Sequence, residues 1–279
     1  MDRELVLLVL TLVVSGPALW VGALIRLTPL RARSARQLER HCWNQLWLGL
    51  TPALVSCVAL VGWALAEPAK AEPVPPLALA MAAPFLIVLG RSIVRAVRAL
   101  AVPEVQTTAT VGLLSPRVVV AQRFAEGLDD AALDAAMKHE RAHARHRDPL
   151  RLWLGQFAAD LMWPLPAAHR RFETWRACLE LARDEEARLD GADGADLAAA
   201  VVAALQMTSR RQPLAVATLT GEEAALRQRI RRLLRPMPAK RELRRRPAWL
   251  VPAVLAFAGI VLGASYGEVL VRGLLGGGP

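Results

Sequence analysis

Four runs of this chain, 5–25, 42–66, 73–90 and 247–267, carry no charged residue. Each is close to the ~20 residues a helix needs to cross the hydrocarbon core of a bilayer. Lipid offers no water to the backbone, so a spanning run must close its own hydrogen bonds as a helix. Pro17, Pro52, Pro84 and Pro252 fall inside the runs and are tolerated where neighbouring helices satisfy the freed carbonyls. The run 73–90 is the shortest, and Arg91 at its end can keep its head in water while its stem stays in the apolar layer. The first run is expected to be retained as a helix. Its leader, Met1-Asp2-Arg3-Glu4, has no net positive charge, and the run is longer than the usual signal-peptide core.

With 54% hydrophobic residues and a formal charge of +10, the chain reads as a membrane protein with a soluble insert. Arg26, Arg31, Arg33, Arg36 and Arg40 fill the first loop, whereas loop 67–72 has Lys70 alone. Arg91, Arg95 and Arg98 follow the third run, and Lys240, Arg241, Arg244, Arg245 and Arg246 precede the fourth. By the positive-inside bias the first loop and the insert face the cytoplasm, and both termini lie outside. The expected organisation is three spans in 1–101, a cytoplasmic domain in 102–246, and a fourth span with a short external tail in 247–279. This arrangement accounts for much of the charge, so direct nucleic-acid binding is not expected, though 227–246 is where it would sit. Cys42, Cys57 and Cys178 have no C-x-x-C spacing, which leaves neither a disulfide framework nor a thiolate metal site.

The insert holds His139-Glu140-Arg141-Ala142-His143, the H-E-x-x-H pattern of zinc metallopeptidases. On a helix, residues four apart share a face, so both imidazoles can reach one ion. Glu140 sits about 100° round from His139, beside the metal and free to act as a base. Asp129 and Asp130 supply cap oxygens for this helix, expected over 130–147, and Asp148-Pro149 stops it and caps the next. Two short strands, 105–111 and 117–121, joined by a turn, precede it. Further helices are expected over 149–162, 167–189, 195–209 and 222–234.

A catalytic zinc site takes three protein ligands and leaves one position open. The best third candidate is Glu180, in Cys178-Leu-Glu-Leu-Ala-Arg-Asp-Glu-Glu186. Asp184, four residues on, shares its face and can accept the other N–H of a ligand histidine, fixing its tautomer. His146 also lies on the motif helix, but its place at a basic helix end points to a dipole or surface role.

These segments resemble the BlaR/MecR-type membrane zinc metallopeptidases, the antirepressor family of bacterial antibiotic-sensing systems. Gly112-Leu-Leu-Ser-Pro-Arg-Val-Val-Val120, His139-Glu-Arg-Ala-His-Ala-Arg-His-Arg-Asp148, Trp163-Pro-Leu-Pro166 and Glu180-Leu-Ala-Arg-Asp-Glu185 carry the likeness. It implies a mostly α membrane protein, three spans plus one, with an inserted α+β zincin-like domain. It also implies one Zn2+ per chain on His139, His143 and Glu180, with Glu140 as general base and Asp184 in support. Arg183 stands where the family often has cysteine. Little sequence follows the fourth run, so the penicillin-binding sensor of the antibiotic-sensing members, and β-lactam recognition with it, is not expected here.

The function expected is a multi-pass zinc endopeptidase of the bacterial cytoplasmic (inner) membrane. It would cleave a cytoplasmic protein, with a winged-helix transcriptional repressor the family's suggestion, and answer to a membrane or extracytoplasmic sensor partner. An extended substrate would pair with the strand edge at Val118, Val119 and Val120. Two alternatives stand beside it. One is a quality-control protease of the HtpX type, against which the Gly-Leu-Leu-Ser-Pro strand and the span order argue. The other is a catalytically idle, zinc-stabilised scaffold, against which intact Glu140 argues.

Overall fold

The structure is a computed structural model and describes residues 3–25, 34–66, 76–98, 106–209 and 219–237. Three apolar helices, α1 (Arg3–Leu24), α3 (Thr51–Ala66) and α4 (Pro76–Arg98), pack together around Val9, Leu60 and Ala82. Of the described helices, α4 is long and apolar enough to cross a membrane, while α1 and α3 hold shorter apolar stretches, Thr11–Leu24 and Thr51–Leu60. Leu77, Ile87, Val94 and Val97 of α4 are exposed, as lipid-facing side chains are in a bundle. The expected fourth span, 247–267, the loop 67–72 and the basic run 240–246 lie outside the described residues.

The run 42–66 is two helices rather than one. Its first part belongs to α2 (Ala35–Leu48), which ends at the turn Gly49–Leu50 before α3 begins. At the turn α2 passes close against α1, where a Cβ on Gly22 would sit 1.8 Å from the Gly49 carbonyl oxygen. Pro52, with no N–H to donate, lies in the first turn of α3. Ser34 caps α2 by accepting from the Gln37 N–H. Glu39, Cys42, Trp43 and Leu46 recur at helical spacing on one face of α2, and that face lays Leu46 and Trp43 onto Phe172, Trp175 and Leu179. A helix read from its apolar half as part of a span is therefore packed in the same core as the helices that follow the motif.

The rest builds a helical module with a small sheet on one side. Strands β1 (Thr108–Val111) and β2 (Arg117–Val120) pair antiparallel, Thr110 opposite Val118, with Gly112 at φ +97° opening the turn between them. A short helix, α5 (Gln122–Ala125), leads to α6 (Asp130–Arg145), which Asp129 caps by accepting from the Ala132 N–H at 2.7 Å. Next come α7 (Asp148–Leu161), α8 (Pro166–Leu189), α9 (Gly194–Ser209) and α10 (Leu219–Leu233). Alanines 135, 187 and 198 let α6, α8 and α9 approach closely around Leu197 and Leu233. At the other side α7 lies against α4, where Arg95 pairs with buried Asp160 at 2.7 Å and Arg91 lies over Trp163. Arg95, expected to mark only the cytoplasmic side, is therefore also a tie between a membrane-type helix and the module.

Candidate metal centre

His139 and His143 lie one turn apart on the buried face of α6, and α8 crosses that face with Glu180 and Asp184. The two Nε2 atoms are 3.0 Å apart, and the Glu180 carboxylate oxygens lie 3.5 Å from His139 Nε2 and 3.7 Å from His143 Nε2. One ligand atom from each of the three residues falls within 4.8 Å of the other two. Each Nδ1 faces a carboxylate: His139 Nδ1 is 3.0 Å from Asp184 Oδ1, and His143 Nδ1 is 2.9 Å from Asp148 Oδ2. A carboxylate can only accept, so Nδ1 is the protonated nitrogen of His143 and its Nε2 offers a lone pair. His139 Nδ1 is buried close to Asp184 but out of hydrogen-bond alignment with it.

Two imidazole Nε2 atoms and a carboxylate facing one another draw positive charge. The Arg229 guanidinium reaches them, with Nη2 3.4 Å from His139 Nε2 and Nη1 3.0 Å from Glu180, and a metal ion would share the same donors. Zinc–nitrogen bonds of about 2.0–2.1 Å place two ligand nitrogens roughly 3 Å apart, so the spacing suits the ion. Burial opposes charge on His139, yet the Asp184 and Glu180 carboxylates beside it outweigh that effect and raise its pKa to about 9. Burial likewise works against an ionised Asp184, but Arg229 and His139 hold it below the usual carboxylate range.

Glu140 lies outside this ligand cluster. Its carboxylate Oε2 and its backbone oxygen are each 2.8 Å from Thr110 Oγ1 on β1, so the hydroxyl steers the side chain from across the sheet. Val118 and Val120 of β2 are half-buried and Val119 is exposed; no third strand covers the outer edge of β2 among the described residues. His146 is turned away and pairs with Glu186 at 2.8 Å.

Three features of the site were not read from the sequence. Asp148 was expected to cap α7, but Arg147, at φ +51°, takes the capping position without a side-chain bond. The Asp148 carboxylate, fully buried, instead meets His143, both Arg183 Nε and Nη2, and Arg151 Nη1 at 3.1 Å. Charged donors in a dry interior bind it more strongly than backbone amides at a helix end would. Arg183, in the family's frequent cysteine position, thus clamps the carboxylate that orients a histidine. Arg229 of α10 reaches into the site: Nε and Nη2 each lie 2.7 Å from Asp184, and Nη1 is 3.0 Å from Glu180. Nothing in the arginine-rich stretch singled it out.

No curated protein and no solved structure matches the chain. A family model does, over residues 89–233, and that match runs from the end of α4 through α10, taking in both strands and every residue of the site. Since it covers just over half of the chain, the resemblance carried by the four sequence segments holds: this protein belongs to the BlaR1 peptidase M56 family.

Proposed function

We propose that the chain is a multi-pass, zinc-dependent membrane endopeptidase that cleaves a cytoplasmic protein, with a winged-helix transcriptional repressor as the substrate class. The observation that carries the reading is the convergence of His139 Nε2, His143 Nε2 and the Glu180 carboxylate, with Glu140 adjacent but outside the set. A purely structural site has no use for a carboxylate that follows a ligand in the chain but is not itself one of the ligands.

His139, His143 and Glu180 would hold the ion. Bound there, zinc would supply Lewis-acid chemistry, polarising the scissile carbonyl and lowering the pKa of water into the neutral range. Asp148 keeps Nδ1 of His143 protonated and its Nε2 presented to the ion, and Asp184 lies beside Nδ1 of His139, where it would do the same with the ion bound. Glu140 takes a proton from the attacking water on its carboxylate as oxygen adds to the carbonyl carbon. It returns that proton to the amide nitrogen as the C–N bond breaks, and the second proton of the water follows from the new carboxyl group to the amine, so that a carboxylate and an ammonium group are released. Thr110 limits the carboxylate's rotation during both transfers. The outer edge of β2 offers backbone groups at Val118–Val120 to an extended substrate.

The test uses full-length protein in lipid. A Glu140→Gln variant should bind its substrate without cleaving it, so mass spectrometry of the retained proteins names the substrate, and wild type should cleave that protein at a single segment. Retained proteins of many unrelated kinds, all degraded by wild type, would instead indicate a quality-control protease.

A further inference from the structure

We propose that α2 is a positioning element of the metal site, and that Glu39 is its working residue, acting on His143 through Arg151 and Asp148. The inference rests on the metallopeptidase reading and adds to it a helix outside the segment that matches the family, 89–233.

Glu39 is 5% exposed, although it sits in what the sequence presents as a solvated basic loop. Its Oε1 accepts from Trp175 Nε1 at 2.9 Å and from Arg151 Nη2. The Arg151 guanidinium lies over the ring of Trp43 on α2 at 4.7 Å and over that of Trp175 on α8 at 5.5 Å, so three elements fix its plane. Its other nitrogen, Nη1, meets Asp148 Oδ1 at 3.1 Å, where Arg183 Nη2 also donates at 3.0 Å. The other oxygen, Asp148 Oδ2, accepts from His143 Nδ1 and from Arg183 Nε. From α2 to the ligand nitrogen the path is a chain of charge-assisted bonds with no exposed member. Each link constrains the next, since a buried charge that loses its partner is strongly destabilised.

A second contact reaches the same site from the first turn of α2. The Ala35 N–H donates to Glu185 Oε2 at 2.6 Å and Arg36 Nε lies 3.2 Å from Glu185 Oε1, one residue after Asp184. The C-terminal end of α2 turns at Gly49–Leu50 straight into α3, within the apolar bundle. A displacement of α3 therefore moves Glu39, and the orientation of His143 is the property that responds.

The experiment measures zinc affinity by chelator competition and peptide cleavage, on full-length protein, for Glu39→Gln, Asp148→Asn and the double variant. Glu39→Gln keeps the bond from Trp175 but loses the charge that holds Arg151. We expect zinc binding weakened on the order of three- to ten-fold, below the ~10–100-fold typical of a direct partner of the ligand. The expected kcat falls and KM stays. Added to Asp148→Asn, the Glu39 change should cost nothing further, because both act on one path. Wild-type affinity in Glu39→Gln, or losses that multiply in the double variant, would overturn the proposal. Should Glu39→Gln fail to accumulate, Arg151→Lys, which keeps charge but loses the fork and the stacking, carries the same comparison against wild type. Wild-type protein without zinc affinity, or full cleavage by Glu140→Gln, would instead defeat the metallopeptidase reading itself.

Discussion

At the residue scale, helical periodicity pairs His139 with His143 on one helix and Glu180 with Asp184 on another. The H-E-x-x-H motif and the resemblance supplied the link between the two, and the structure brings His139, His143 and Glu180 together. What periodicity cannot show is which residue of another element closes the shell. Thr110, Asp148 in its role toward His143, and Arg229 come from β1, the start of α7 and α10, and their contacts depend on how those elements pack. Glu140→Gln should retain zinc and lose cleavage, because it removes the base without touching a ligand; metal analysis beside a cleavage assay checks this. Arg229→Gln should weaken zinc binding less than Glu180→Ala does, since it loosens Asp184 rather than removing a ligand. Chelator competition on the two variants orders them.

At the element scale, helix positions were largely foreseen and helix partners were not. Apolar periodicity located α6 to α10 closely, while the uncharged run 42–66 concealed the break at Gly49–Leu50. Hydropathy counts charges along a segment and passes over Pro52, whose missing N–H suits the first turn of a new helix. The approach of Gly22 to Gly49 is a contact that only folding brings together. Fully buried Leu46 is a direct test of α2 as a core helix: Leu46→Ala should cost about 2–5 kcal/mol by thermal or denaturant unfolding, whereas a lipid-facing leucine would cost far less. The joint between α6 and α8 makes a different prediction. Burial works against ionised Glu186, but His146, Arg183 and Arg145 hold its pKa below the ordinary value. A depressed carboxylate pKa gives stability that is present above the unfolded value, about 4.3 for glutamate, and lost as pH falls through the folded one. Glu186→Gln should therefore be less stable than wild type at neutral pH, with the difference closing below about pH 4 in unfolding curves taken across pH.

At the scale of the whole molecule, the apolar bundle and the peptidase module share α2, α4 and α7 as their joint. Trp175, fully buried, is covered by Trp43 of α2, and Asp160 of α7 by Arg95 of α4. A fragment of residues 102–246 alone would leave Trp175 open and Asp160 without its guanidinium. It should fold poorly and lose zinc affinity relative to the full chain, which circular dichroism and chelator competition can show. The orientation proposed from the arginine bias predicts that reporters fused at residue 70, residue 190 and the C-terminus read outside, inside and outside.

The measurement that bears most directly on the central claim is the zinc content of purified full-length protein beside that of Glu180→Ala. The account predicts one zinc per wild-type chain and loss of the metal, with loss of cleavage, when the third ligand is removed. Full zinc and full activity in Glu180→Ala would contradict it.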